Sequence, residues 1–157
     1  MIRWMVAGLL GGLAGGVATS VAMKGGRQAG LLHDTLDRRG EDWLDRMAGT
    51  RRRLGEAGTT LLEQSGHGMA SLAFGAGYGA LRAQLPHGSP ALLGTAYGAG
   101  LYAVGIAGIA PRLGITEGER RAGPALAAQR LGMHVLFGLA TALVAEAAHA
   151  RLSASDR

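Results

Sequence analysis

The charges in this sequence are segregated, and that constrains the fold more than any other feature. Met5 to Met23 runs without a charged residue, and so do Gln64 to Leu81 and His87 to Pro111. Leu131 to Ala145 is a shorter clean run, extended through Glu146 to Leu152. A helix needs about 20 mostly apolar residues to cross the hydrocarbon core of a bilayer. Two of the runs meet that length alone, and the other two meet it if their polar ends reach the interface. Four spans are expected, at about 3–23, 63–85, 90–111 and 129–151. A soluble Ala/Gly-rich bundle is disfavoured, because soluble helices need a polar face and the first and third runs have none. The first run could also be read as a cleaved signal peptide, with Arg3 as its basic start and Ser20-Val21-Ala22 as the small-residue site. Its length and the membrane-like remainder of the chain favour retention.

Composition narrows the chemistry. There is no cysteine among the 157 residues, which excludes a disulfide framework and any thiolate ligand or nucleophile. Glycine supplies 28 positions, and its placement is regular. Gly8, Gly12 and Gly16 recur four apart in the first span; Ser71, Gly75 and Gly79 do so in the second, and Gly94 and Gly98 in the third. Small residues at that spacing groove one helix face and let two backbones approach closely. No strand precedes these glycines, so a phosphate-cradling loop lacks its context. A groove exposed on the first span would serve self-association or a membrane partner.

Lys24 to Thr60 forms a polar connection. Leu36, Trp43, Met47, Leu54 and Leu61 fall on a three-four spacing, and the opposite face holds Asp37, Arg38, Glu41, Asp42, Asp45, Arg46, Arg52 and Arg53. This pattern predicts an amphipathic helix on the membrane surface, with breaks at Gly40, Gly49, Gly55 and Gly58, Trp43 as interfacial anchor and Arg51, Arg52 and Arg53 reaching anionic lipid head groups. The alternative is a partly disordered, solvated linker. Acids alternate with the bases, so no nucleic-acid role is expected. Pro86 and Pro90 punctuate the next connection and make the second and third spans an antiparallel hairpin. The tail from Ser153 to Arg157 is expected to fray. Twelve of the 16 basic residues fall on the side reached after the first span, so the positive-inside rule places both polar connections in the cytoplasm.

Ionisable residues inside spans are costly and mark candidate sites. His67, Arg82, His134, Glu146 and His149 qualify. The second and fourth spans run the same way, and His67, Leu72, Ala73, Ala80, Ala83 and Leu85 recur as His134, Leu139, Ala140, Ala147, Ala150 and Leu152 at a constant offset of 67. His67 and His134 should therefore lie at similar depth. With Ser71 and Tyr78 they form either a proton or solute path or a set of interhelical hydrogen bonds. Glu146 should pair with Arg82 or Arg3 near the far interface. No nucleophile has a convincing base and acid, and no metal set is present, so no cofactor, no metal and no catalytic residue are expected.

His67, Ser71, Phe74, Gly77-Tyr78 and Pro86, followed by Gly94, Gly98-Ala99 and the Pro111, Gly114, Thr116 exit, are spaced as in the YagU-type bacterial inner-membrane proteins. His134 and a later acid, Glu146, extend the resemblance over roughly residues 63–152. It implies a multi-pass protein of the bacterial inner membrane and carries no established reaction. The expected fold is all-α, one domain: an integral membrane four-helix bundle with an amphipathic interfacial helix between the first and second spans. The leading functional expectation is a non-enzymatic structural or stress-related bundle that self-associates or binds a membrane partner. The alternative is a small transporter or proton-conducting protein using His67, Tyr78 and His134.

Overall fold

The computed structural model describes residues 1–32 and 36–154, apart from the side chain of Asp37. The described residues are helical, with no strands. In chain order the elements are α1 (Ile2–Gln28), α2 (Leu36–Ala48), α3 (Thr50–Gln84), α4 (Pro90–Leu101), a π-helical segment (Tyr102–Ile109), α5 (Ala110–Arg112), α6 (Glu119–Ala122) and α7 (Pro124–Ala154). Three stretches are long and apolar enough to cross a membrane: Ile2–Gln28, Pro90–Arg112 and Pro124–Ala154. Ser153 and Ala154 complete α7, and the rest of the tail expected to fray lies outside the described residues.

Helix α1 is the centre of the assembly. It packs between α3 and α7, and α7 carries α4 on its other side. The glycines explain why. Gly8, Gly12 and Gly16 face Gly75, Gly79 and Ser71 of α3, whereas Gly11 and Gly15 face Thr141, Ala145 and Phe137 of α7. A Cβ on Gly12 would lie 2.8 Å from the Gly75 Cα and closer still to the Ser71 carbonyl. A Cβ on Gly15 would lie 2.8 Å from the Phe137 carbonyl. The glycine face of α1 is therefore two grooves, both filled from within the chain. The surface expected to drive self-association is buried; α1 exposes Leu9, Leu10, Leu13, Val17 and Val21 instead. Gly94 and Gly98 of α4 meet Gly138 and the His134 carbonyl of α7 in the same manner.

The register of these contacts sets the directions. The Trp4 end of α1 meets Gly79, and its Gly16 end meets Ser71. Gly11 meets Ala145 and Gly15 meets Phe137, so α3 and α7 both run antiparallel to α1, on adjoining faces of it. Helix α4 begins with Ser89 accepting from the Leu92 N–H at 3.5 Å and Pro90 in the first turn. That is a helix start in which the proline's missing N–H costs nothing. The expected hairpin with α3 is looser than its short connection suggests. The close helix–helix contacts of α4 are with α7, and the Tyr97 hydroxyl reaches across to the Phe74 carbonyl of α3 at 2.6 Å.

The two polar connections meet at one end. Gly49 (φ 62°) and Gly55 (φ 67°) adopt backbone conformations that L side chains disfavour, and they separate α2 from α3 and kink the start of α3. Of the breaks expected in the amphipathic stripe, those at Gly49 and Gly55 occur, whereas helix runs through Gly40 and Gly58. Helix α2 folds back on α3, the Trp43 indole N–H donates to the Leu113 carbonyl at 2.9 Å, and Arg46 donates to the Gly114 carbonyl at 3.1 Å. Trp43 pins one connection to the other.

Replacing Gly12 with Ala should destabilise the protein by about 2 kcal/mol through overpacking. Gly132→Ala, where nothing lies within 4 Å of an added Cβ, should leave stability unchanged or slightly raised. Detergent-driven unfolding followed by circular dichroism compares the two. Equal stabilities would contradict the packing described for α1.

Candidate functional site: a histidine-lined cavity between the helices

A cavity of about 260 Å³ lies among α1, α3, the π-helical segment and α7. His67 and Ser71 line it from α3, Thr19 from α1, and His134 and Phe137 from α7. The two histidines come from helices on adjoining faces of α1, at matching levels, because α3 and α7 are parallel. A second hollow, about 290 Å³, lies under α2 and shares Leu36, His67 and Ala70 with the first. His67 thus stands at the junction, on the side of the polar connections.

The histidines are held differently. His134 Nδ1 lies 2.8 Å from the Arg130 carbonyl on its own helix. A carbonyl only accepts, so Nδ1 carries a proton, and in the neutral ring Nε2 is the acceptor. The ring's Nε2 edge turns away from the α7 backbone. His67 Nε2 lies 3.5 Å from both the Gly16 carbonyl and the Ser20 hydroxyl. Ser71 is buried. The Thr19 hydroxyl donates to the Gly15 and Gly16 carbonyls at 3.1 and 3.0 Å and is occupied by its own helix.

The wall facing the histidines is the π-helical segment, which contributes Gly105 and Ile106. A π-helix leaves backbone wide and irregular, and such segments occur often at functional sites. Behind it, the Tyr102 ring lies 6.0 Å from the His134 ring. Arg130, 4% exposed, is bound by Glu119 at 3.1 Å and Glu117 at 3.4 Å, and Glu117 also meets Arg39 of α2 at 3.2 Å. This ionic knot closes the basic end of α7. Sequence reasoning used Arg130 only as a topological charge; no local signal marked it as buried.

Tyr78 does not line the cavity. It lies two turns further along α3, fully buried beside Ala7, Ala142 and Ala145, with the Tyr97 ring at 5.5 Å. Its hydroxyl, and that of fully buried Thr141, have no hydrogen-bond partner among the described residues. Thr141 was not a sequence candidate, because a single hydroxyl in an apolar run gives no signal. Beyond Tyr78 comes the far end of the molecule. There Arg82 pairs with Glu146, donates to the Leu85 carbonyl and lies 5.2 Å from the centre of the Trp4 ring. Trp4 stacks on His149 with centroids 3.6 Å apart. A column of polar groups therefore runs along the interior: His67 and His134, Ser71, Thr141, Tyr78, then Arg82 and Glu146.

Arg51, expected to reach lipid head groups, is exposed like Arg52 and Arg53 but pairs with acids of α2. It meets Asp42 at 2.7 Å, Glu41 at 3.3 Å and Asp45 at 3.6 Å. The hydrogen bond to Asp42 is the main reason its pKa is raised above the ordinary guanidinium value. Asp45 also accepts from the Arg51 N–H at 2.8 Å, which caps the start of α3. Arg52 and Arg53 are exposed. No group of three His, Asp or Glu side chains able to hold a metal occurs among the described residues.

The structure defines an all-helical protein with three helices able to cross a membrane and a cavity between them. No family model matches the chain, and no curated protein or solved structure matches it.

Glu146→Leu should cost about 3 kcal/mol, because it leaves the buried Arg82 cation without its partner. The double variant Arg82→Leu, Glu146→Leu should recover most of that loss. Unfolding midpoints of the two variants check this, and a double variant less stable than Glu146→Leu would contradict it.

Proposed function

We propose that the chain is a non-enzymatic, four-span integral membrane protein that conducts protons through its interior by way of His67 and His134. The observation that carries this reading is the single cavity lined by both histidines, from two helices that do not adjoin in sequence. The buried Ser71, Thr141 and Tyr78 side chains continue the polar column toward Arg82 and Glu146. Polar groups at such depth are costly, and a relay gives them a use.

The fourth span is α3. Its register against α1, from Gly79 at Trp4 to Ser71 at Gly16, supports placing it at the same depth as α1 although its composition is more polar. The convergence of both polar connections, through Trp43 and Arg46, supports a common side for them, the cytoplasmic one by positive-inside. Helix α2 would lie at that interface, with Arg52 and Arg53 toward anionic head groups. The motifs quoted above favour a YagU-type protein of the bacterial inner membrane.

The structural-bundle reading loses its main motive once the α1 grooves are filled from within; a membrane partner would have to use the apolar outer faces. One experiment separates the two readings. Proteoliposomes under a pH gradient should show proton flux above empty liposomes, and His67→Ala and His134→Ala should each reduce it by about tenfold or more. Flux absent under every gradient, or indifferent to both substitutions, would return the protein to a structural role.

A further inference from the structure

His134 has polar neighbours that do not line the cavity. Tyr102, the first residue of the π-helical segment, sets its ring 6.0 Å from the His134 ring. Its hydroxyl lies beside the carboxylate of Glu119, the first residue of α6. The two oxygens of that carboxylate differ. Oε1 accepts from Arg130 at 3.1 Å, whereas Oε2 is buried with no hydrogen-bond partner among the described residues. A buried acceptor left open in this way calls for an explanation. The Glu119 side chain as a whole is 17% exposed, so the acid also reaches the surface at the end bearing the polar connections.

Arg130 is what allows this acid to change charge. The buried guanidinium meets two carboxylates, Glu119 and, at 3.4 Å, Glu117. When Glu119 takes up a proton, Glu117 still pairs the cation, so no buried charge is left alone. Arg39 of α2, 3.2 Å from Glu117, completes the described charges of the knot. The Arg130 carbonyl meanwhile holds His134 Nδ1 and leaves Nε2 as the acceptor.

From this we infer that Glu119 and Tyr102 form the proton inlet to His134 from the side of the polar connections. The inference rests on the conduction reading above. Inward, Glu119 takes a proton from water. The Tyr102 O–H bond breaks as an N–H bond forms at His134 Nε2, directly or through one water, and the proton of Glu119 restores the Tyr102 hydroxyl. What results is the Glu119 carboxylate, neutral Tyr102 and a His134 imidazolium whose Nδ1–H still donates to the Arg130 carbonyl. A hydroxyl serves this relay because it donates and accepts at once.

The test uses the full chain in proteoliposomes under a pH gradient. Tyr102→Phe keeps the ring and removes only the hydroxyl, and Glu119→Gln keeps the shape and removes the titrating group. Each should cut proton flux by about tenfold. Glu117→Gln strips the other carboxylate from Arg130 and controls for the ionic knot; its flux should stay near native. Circular dichroism of Tyr102→Phe should match the native chain. Native flux in Tyr102→Phe, or an equal loss in Glu117→Gln and Glu119→Gln, would overturn the inference and leave conduction by the histidines standing. Flux absent from the native chain would overturn both.

Discussion

Backbone-to-backbone contact along α1 is the constraint on which the rest depends. Lipid offers no hydrophobic drive for helix association, so close packing must supply the attraction. The glycines give α1 two such faces about a quarter-turn apart, one for α3 and one for α7. Held on adjoining faces of a thin helix, α3 and α7 become parallel neighbours, and equivalent positions on them fall at one level. That is why His67 and His134, 67 residues apart, line one cavity. Bulk on α1 would push them apart and separate the groups of the polar column.

The same economy of volume creates the cavity. Small residues bring backbones together at the Trp4 end, where Tyr78, Ala142 and Ala145 are fully buried. Toward the polar connections the glycine contacts stop at Gly16, and larger side chains no longer interlock. The π-helical segment widens the backbone at the same level. Aromatic side chains mark the transition: Phe74 and Phe137 meet edge to face with centroids 6.4 Å apart, at the inner end of the cavity. The ends of the molecule are closed by charge. Arg82 with Glu146 seals one, and Arg130 with Glu117 and Glu119 seals the other.

Much of this was legible in the sequence, and the failures have physical reasons. The all-helical class and three apolar spans follow from charge segregation, because hydropathy is a sum over a window and survives local detail. The Gly8, Gly12, Gly16 spacing marks a face for close packing but not the partner, so filling from within the chain and filling by a second copy read alike. Helix α3 is less apolar than a span selected by hydropathy, because it carries Gln64, His67 and a buried Arg82. Trp43 has the composition of an anchor, but its indole N–H needs an acceptor, and the Leu113 carbonyl is one that no spacing rule could name. The π-helical segment has no signature, since Tyr102 to Ile109 carries no charge and no proline to set it apart from the helix before it. His67 and His134 were found because buried ionisable groups are rare in spans; Thr141 was missed because hydroxyls are not.

The central claim is a cavity inside the membrane that opens to the side bearing both polar connections. The absence of cysteine makes this directly measurable. Ala70 lines both the cavity and the hollow beneath α2. An Ala70→Cys chain, reconstituted with known sidedness, can be treated with a membrane-impermeant thiol reagent from either face. The account predicts labelling from the face of residues 24–62 and 112–128 and none from the other. Labelling from the opposite face, or from neither, would contradict it.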